Sequence, residues 1–501
     1  MFRLRHLPID TLREHVIMIH EQTVHSGDLG FNPLDRVLIR GVDSKSGKSR
    51  EIVGVLNFCR GALLETDEIG LSDEAFRDLG LAESAPVSAS LAVAPHSVDL
   101  VRGKLGGRRL ERAEFNAILA DVATRRYSRV ELAMFVFACS LKRLDLAELV
   151  DYTLAMIETG EQLSFGAGPV VDKHCIGGIP GNRTTMIVVP ILAALGLTMP
   201  KTSSRAITSS AGTADTMSVL ADVSLSADRI MEVVKKTGAC IVWGGALELA
   251  PADDVLITVE RPMELDTEAQ MVASILAKKK SVGATHALID IPVGSSAKVR
   301  TYAAAEELGV LFRAVATRIG LRVEVCMTEA RGPVGRGIGP RLEALDVLAV
   351  LRGDGEAPRD LREKSLYLAS RILEMSGAVA SGAGYREARR MLDSGAALNK
   401  FNEIVTAQGA RELPPQARLR QTVTSNADGR IREIDCWEIT RVAKRAGAPA
   451  NPAAGVRMLR TTGDVVAAGD PLFEIHASSE SQLEEARSYA EAHREMIRFG
   501  F

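Results

Sequence analysis

The rhythm of apolar and polar positions changes several times along the chain, and each change predicts a different architecture. Up to about residue 85, short β-branched runs (His15 to His20, Arg36 to Val42, Glu51 to Phe58) are separated by turn-forming segments such as Asp43 to Gly47, which predicts a small β-rich domain over 1–85. Residues 82–97, AESAPVSASLAVAPHS, read as a linker. The period then lengthens. Between Arg112 and Thr159 the apolar residues Leu132, Phe135, Val136, Leu141, Leu144, Leu146 and Leu149 recur at helical spacing with charges between them, so 97–165 is predicted to be helical.

From Gly166 to about Glu329 apolar runs alternate with longer amphipathic stretches: MIVVPILAALG, a glycine- and serine-rich loop, ACIVWGG, a long helix, HALIDIPVG and RVEVCMTEA. Short buried strands separated by helices are what a sheet covered on both faces requires, so 166–427 is expected to be an α/β domain. Its later part is helical at Glu343 to Leu351, Ser365 to Met375 and Tyr385 to Asp393. Beyond it, Arg430 to Trp437, Gly455 to Arg460 and Pro471 to Ala477 read as strands around the turns Gly463-Asp464 and Ala468 to Pro471, giving a small α+β domain over 428–501. The fold class is therefore α/β and multidomain.

Composition narrows the function. The 501 residues are 46% hydrophobic and 25% charged, as in a globular protein of about three domains. A net charge of −3 with 4% aromatic residues supplies neither the basic field nor the stacking surface of a nucleic-acid binder, so any nucleotide partner is expected to be a small molecule. The longest apolar stretch, Met186 to Leu197, is twelve residues with a proline inside. A membrane span needs roughly 20. The N-terminal MFRLRHLPID places charge and Pro8 where a secretory segment carries an apolar run, and a cytosolic protein is expected. The six cysteines (59, 139, 175, 240, 326 and 436) form no CxxC pair, which suits a reducing compartment and predicts no zinc site. His15, His20 and His25 are too irregularly set for a metal and read as structural.

Two segments carry chemistry. VDKHCIGGIPGNRTT, residues 171–185, is a strand end running into a glycine loop and then an apolar helix, an arrangement that aims backbone N–H groups and a helix N-terminus at one anion. It lacks the GxxxxGK[ST] spacing, and its plain alternative is a glycine turn beside a Lys-His pair. KTSSRAITSSAGTAD, residues 201–215, holds seven hydroxyl side chains in fifteen residues, groups that bind phosphate and sugar oxygens without stranding a charge. Its plain alternative is a solvated serine-rich loop. A third segment, residues 264–280, places Asp266, Gln270, Ser274 and Lys278 on one helical stripe, with Met271, Val272, Ile275 and Leu276 opposite. Here Asp266 also suits an N-cap, and Lys278 to Lys280 also suit a helix C-terminus. Gly335, Gly337 and Gly339 do not fit GxGxxG and read as a turn before a helix.

Taken together, DKHxxGG and SSRAITSxAGTAD resemble the thymidine phosphorylase family, and within it the long-chain branch that contains AMP phosphorylases and carries an extra N-terminal domain. The resemblance runs from the linker to residue 477. It implies a helical domain, joined by about 255–285, facing an α/β phosphate-binding domain across a closing cleft, and a homodimer. It also implies a pentosyltransferase that uses inorganic phosphate as co-substrate, without cofactor or metal, to split thymidine into thymine and 2-deoxyribose 1-phosphate. The rival reaction is AMP phosphorolysis to base and ribose 1,5-bisphosphate. Carried onto this chain, Lys173, Gly177, Gly178, Thr185, Ser203 and Thr213 would hold phosphate. Gly178, Ser204, Arg205, Ala206, Ile207, Thr208, Ser209, Thr213, Ser274, Lys278 and Lys298 would position the nucleoside or nucleotide. Asp266, with His174 as competitor, would act on the leaving base.

Two positions depart from the family pattern. Cys175 replaces a serine, and the family's base-binding arginine falls at Thr258 or Val259, with Arg261 nearby. These departures keep a catalytically inactive nucleotide-binding protein in play. A magnesium-dependent phosphoribosyltransferase of the anthranilate type would need an acidic pair at the phosphates; the adjacent acidic pair near these loops is Asp253-Asp254.

Overall fold

The computed structural model describes every residue except Leu12, Arg13, Gly27, Asp28, Leu29, Lys142, Arg143, Ile207, Thr208, Arg261, Glu264, Asp266 and Phe501, and the side chains of His25 and Ser26. The chain divides into two compact units, Met1–Thr159 with Pro251–Ala269, and Gly160–Ala250 with Gln270–Phe501.

The first unit begins with six strands, β1 (Phe2–His6), β2 (Val16–His20), β3 (Arg36–Val42), β4 (Ser49–Cys59), β5 (Glu68–Leu71) and β6 (Pro86–Leu91), closed into a barrel in the order β1-β5-β2-β4-β3-β6. Alternation drives it: Ile17 and Ile19 of β2 and Val37 and Ile39 of β3 point inward and are fully buried. The interior is narrow, for a Cβ added at Gly41 or Gly70 would fall within 2.5 Å of Leu81 or Leu7. The predicted linker is corrected here. Its residues 86–91 are the closing strand, paired antiparallel to both β1 and β3, because closure leaves a barrel no open edge. Small residues suit it, since Val87 alone of β6 is buried. His15 belongs to this framework: its Nδ1 meets Val53 O at 3.1 Å and its Nε2 meets Asp78 at 2.9 Å.

Four helices follow, Ser97–Leu105, Arg112–Ala123, Arg129–Leu141 and Leu146–Glu158, and Pro251–Glu260 belongs to the same unit. The last of the four starts where Asp145 accepts from the N–H groups of Ala147 and Glu148. Phe115, Phe135 and Tyr152 form its aromatic core.

In the second unit β7 (Val171–Cys175), β8 (Met199–Ser203), β9 (Ala239–Trp243), β10 (His286–Val293) and β11 (Arg322–Glu329) are all parallel. β7 pairs with β10, which pairs with β11; β8 pairs with β9, and a parallel bridge between Val170 and Thr198 lies at the start of β7. MIVVPILAALG folds as the helix Thr184–Ala194, whose first ten residues are buried on every side. An apolar run of that length is compatible with strand or buried helix, and burial all round decides for helix.

Near the C-terminus the strands Gly337–Ile338, Gly455–Met458, Pro471–Ala477 and Leu419–Thr424 form an antiparallel sheet. A second sheet contains Gly429–Ile434. The predicted strand Arg430 to Trp437 stops at Ile434, because Asp435 accepts from the N–H groups of Trp437 and Glu438 and caps the helix Cys436–Arg445. Among the described residues no helix is long and apolar enough to cross a membrane.

Candidate active site

The site is built around the C-terminal end of β7. A parallel strand covered on both faces should be apolar throughout, yet β7 reads VDKHC, with Asp172 and Lys173 each 1% exposed. Lys173 Nζ donates to Thr184 Oγ1 at 2.8 Å, at the N-terminus of the apolar helix. Burial pushes the Lys173 ammonium below its ordinary range, while Cys175 and Asp290 act in the opposite sense.

After β7 the chain turns through Gly177 and Gly178 at φ 99° and 85°, a conformation that side-chain-bearing residues rarely adopt. A Cβ at Gly178 would stand 2.8 Å from the backbone nitrogen of Lys298. This glycine is therefore what lets the glycine loop lie against the 294–298 loop, and it sets the backbone of Lys298 beside the glycine turn. Cys175 accepts from Asn182 Nδ2 at 3.3 Å; its thiol is pushed up by burial and by Asp290.

Arg183 joins this loop to the hydroxyl-rich segment. It donates to Thr213 Oγ1 at 2.9 Å and to Ala211 O at 3.1 Å, and pairs with Glu343 at 2.7 Å. The two segments singled out in the sequence thus meet at one place. Within the second, Asp215 accepts from the N–H groups of Ala206 and Gly212 at 2.6 and 2.9 Å, and a Cβ at Gly212 would strike Ser204 O at 2.4 Å. Its described residues are consequently tied into a tight loop rather than a loose solvated one. Arg205 lies over the Trp243 ring at 5.0 Å and reaches Asp215 at 3.3 Å. Ser203 and Ser209 donate to the backbone of their own loop, to Ser204 O and Ala211 O, and Thr185 is buried in the first turn of its helix.

The helix Glu268–Ser281 is attached to the same strand. Lys279 Nζ stands 2.6 Å from Asp172 Oδ2, and Lys201 Nζ, from β8, stands 3.2 Å from Asp172 Oδ1. Burial opposes ionisation of Asp172, but the two ammonium groups win and hold its carboxyl below the usual range. Burial pushes Lys279 down to about 7 against the pull of Asp172. The helical wheel needs two corrections. Gln270 is buried rather than on an open polar face, and Lys279 is 3% exposed and pairs with Asp172 instead of decorating the helix end. Ser274 and Lys278 are half-buried on this helix.

His174, between these lysines, is held well below the usual histidine range by burial and then by Lys279, Lys201, Lys173 and Lys278. Asp266, Ile207 and Thr208 lie outside the described residues, as does Arg261. Thr258 lies on the helix Pro251–Glu260, in the other unit from the glycine loop, and donates to Val255 O at 2.7 Å; Asp253 and Asp254 are in the first turn of that helix. Sequence reasoning missed Arg183, Asp172, Lys201, Lys279 and Asp215. The available signal was a charge inside an otherwise buried strand, which Asp172 and Lys201 both give.

Three family models match in succession: a glycosyl transferase family helical bundle domain over 98–160, the a/b domain of that glycosyl transferase family over 167–398, and a pyrimidine nucleoside phosphorylase C-terminal domain over 430–496. A protein of Polaromonas sp. named "Putative thymidine phosphorylase" is 48% identical over 99% of this chain and 96% of its own. One from Acidovorax sp. strain JS42, "Putative thymidine phosphorylase 1", is 48% identical over 96% of this chain and 93% of its own. Anthranilate phosphoribosyltransferase from Thermus thermophilus superposes with a TM-score of 0.53 at 20% identity, covering 62% of this chain and 99% of that one, a likeness of fold alone.

Proposed function

The chain belongs to the thymidine phosphorylase family, and from that premise we propose that it cleaves the N-glycosidic bond of thymidine with inorganic phosphate, giving thymine and 2-deoxyribose 1-phosphate. It is an enzyme, a pentosyl-transferring phosphorylase. The observation that carries the reading is the junction of Arg183 with Thr213, which joins the glycine loop to the hydroxyl loop as a shared oxyanion pocket would require. Phosphorolysis needs a dianion held on one face of a sugar that gains positive charge, with the departing base hydrogen-bonded or protonated on the other. Lys173, Thr185, Ser203, Thr213 and the Gly177 and Gly178 amides hold the phosphate in this scheme. Ser204 to Ser209, Ser274, Lys278 and Lys298 orient the nucleoside.

Asp266 is the proposed proton donor, a task for which a carboxyl must be raised toward neutrality by burial. His174, kept neutral by burial and four lysines, suits a hydrogen bond to the substrate rather than proton donation. The sign is direct: a depressed histidine stays uncharged while pH falls through the ordinary imidazole range. Between about pH 6 and 8, kcat/KM should therefore keep one shape in wild type and in His174→Gln, differing only in height. An inflection present in wild type and lost in the variant would make His174 the acid.

A second reading, phosphorolysis of AMP to ribose 1,5-bisphosphate, is favoured by the 294–298 loop, which sets the backbone of Lys298 against Gly178 and so puts a lysine beside the glycine turn. A panel of thymidine, uridine, AMP, CMP and UMP with and without phosphate separates the two. Base release as fast without phosphate would make the enzyme a hydrolase. Tight nucleotide binding without turnover would make it an inactive binder.

The proposal includes a cytosolic homodimer. On the helix Arg129–Leu141, Val130, Phe137 and Leu141 are 79%, 40% and 70% exposed and fall on one face, an apolar stripe that suits burial against a second copy. Phe137→Asp should shift the sedimenting species from dimer to monomer. A dimer unaffected by the substitution would acquit this face.

A further inference from the structure

We propose that Asp172 is a positioning residue for phosphorolysis: its carboxylate, clamped between Lys201 and Lys279, fixes the spacing of the three segments that carry the phosphate and nucleoside groups. The inference rests on the phosphorylase reading above. Asp172 immediately precedes Lys173 and His174 on β7, Lys201 lies two residues before Ser203 on β8, and Lys279 adjoins Lys278 on the helix that also bears Ser274. One side chain touches all three elements. Its Oδ1 accepts from Lys173 N at 2.6 Å and stands 3.2 Å from Lys201 Nζ, while Oδ2 stands 2.6 Å from Lys279 Nζ.

Nothing in the packing calls for ions here. The three groups are 1%, 5% and 3% exposed, and the sheet positions paired with Asp172 and Lys201 are the buried apolar Ala287 and Ile241. Burying three charges costs stability that an apolar trio of similar volume would not, so their use is better explained by what fixed polar geometry supplies. An ion triad at contact distance admits few arrangements, whereas aliphatic side chains slide past one another. The groups that it spaces are those that must meet phosphate and nucleoside together, where a shift of about 1 Å can cost a hundredfold in rate.

The clamp makes separable predictions for its two arms. Lys279→Met frees the helix but leaves Asp172 bridging β7 and β8, so KM for the nucleoside should rise about tenfold while KM for phosphate stays within about twofold. Asp172→Asn frees both arms and should raise both constants, and the double variant should be no worse toward nucleoside than Lys279→Met alone. If Asp172→Asn does not fold, the split in Lys279→Met decides by itself. Wild-type enzyme that releases base independently of phosphate overturns the phosphorylase reading and this inference with it. Phosphate-dependent wild-type enzyme whose Lys279→Met variant moves both constants equally, or neither, or loses only thermal stability, overturns the clamp alone.

Discussion

Lys173→Met should lower kcat/KM for phosphate by about a hundred- to a thousandfold, without lowering the melting temperature. Lys173 is 1% exposed, in the middle of β7, and its ammonium is oriented by Thr184 at the start of the helix Thr184–Ala194. A cation fixed in so dry a place acts on a developing phosphate charge much more strongly than one in water, and it needs no reorganisation when the reaction occurs. Methionine has a similar length and no charge to desolvate, so the fold should be indifferent to the change or gain from it. That divergence separates a phosphate ligand from a structural lysine. Lys173→Arg should not restore activity, because a planar guanidinium does not reproduce the compact point charge that Thr184 orients. A loss of less than about tenfold in Lys173→Met would remove Lys173 from the phosphate pocket.

The largest effect on stability is expected in the helical part of the first unit. Lys104 and Glu148 form an ion pair at 2.6 Å with both side chains 4% exposed. Glu148 also accepts from Leu110 N at 2.9 Å and from Asp145 N at 3.3 Å, the latter closing the capping box of the helix Leu146–Glu158. Glu148→Ala would leave a buried ammonium without its counter-ion and two N–H groups without acceptors, a loss of about 3–5 kcal/mol. Against a typical total of roughly 5–15 kcal/mol this is a large fraction, and it should appear as a lower urea midpoint at constant slope. Replacing both partners by apolar residues should recover most of the loss, because the penalty comes from the stranded charge rather than from the missing pair. A shift below about 1 kcal/mol in Glu148→Ala would mean that water reaches the pair.

How far such features could be read from the sequence depends on how local their causes are. The helix Leu146–Glu158 was legible because its cap, its charges and its apolar stripe lie within a few residues of one another. β6 was not, for its small and polar residues become a strand by pairing with β1 and β3, and read alone they resemble a tether. The predicted strand Arg430 to Trp437 overran because its apolar and β-branched residues continue past Asp435, where a side-chain cap rather than composition ends it.

The same division runs through the site. Glycines at 177 and 178, the hydroxyls of 201–215 and the lysine at 173 follow from the sequence by itself, since a φ near +90° and a run of small polar side chains are properties of single residues and their neighbours. Whether a charge is exposed or buried, and with which partner, was decided by the tertiary structure. Lys279 is the middle member of a lysine run, yet it alone of the three is buried, and what sets it apart is Asp172 on a strand remote in sequence. Arg183 likewise means little until Thr213 and Glu343 are brought to it. Electrostatic energy depends on distance and on the surrounding dielectric, and both are set only when remote segments have packed.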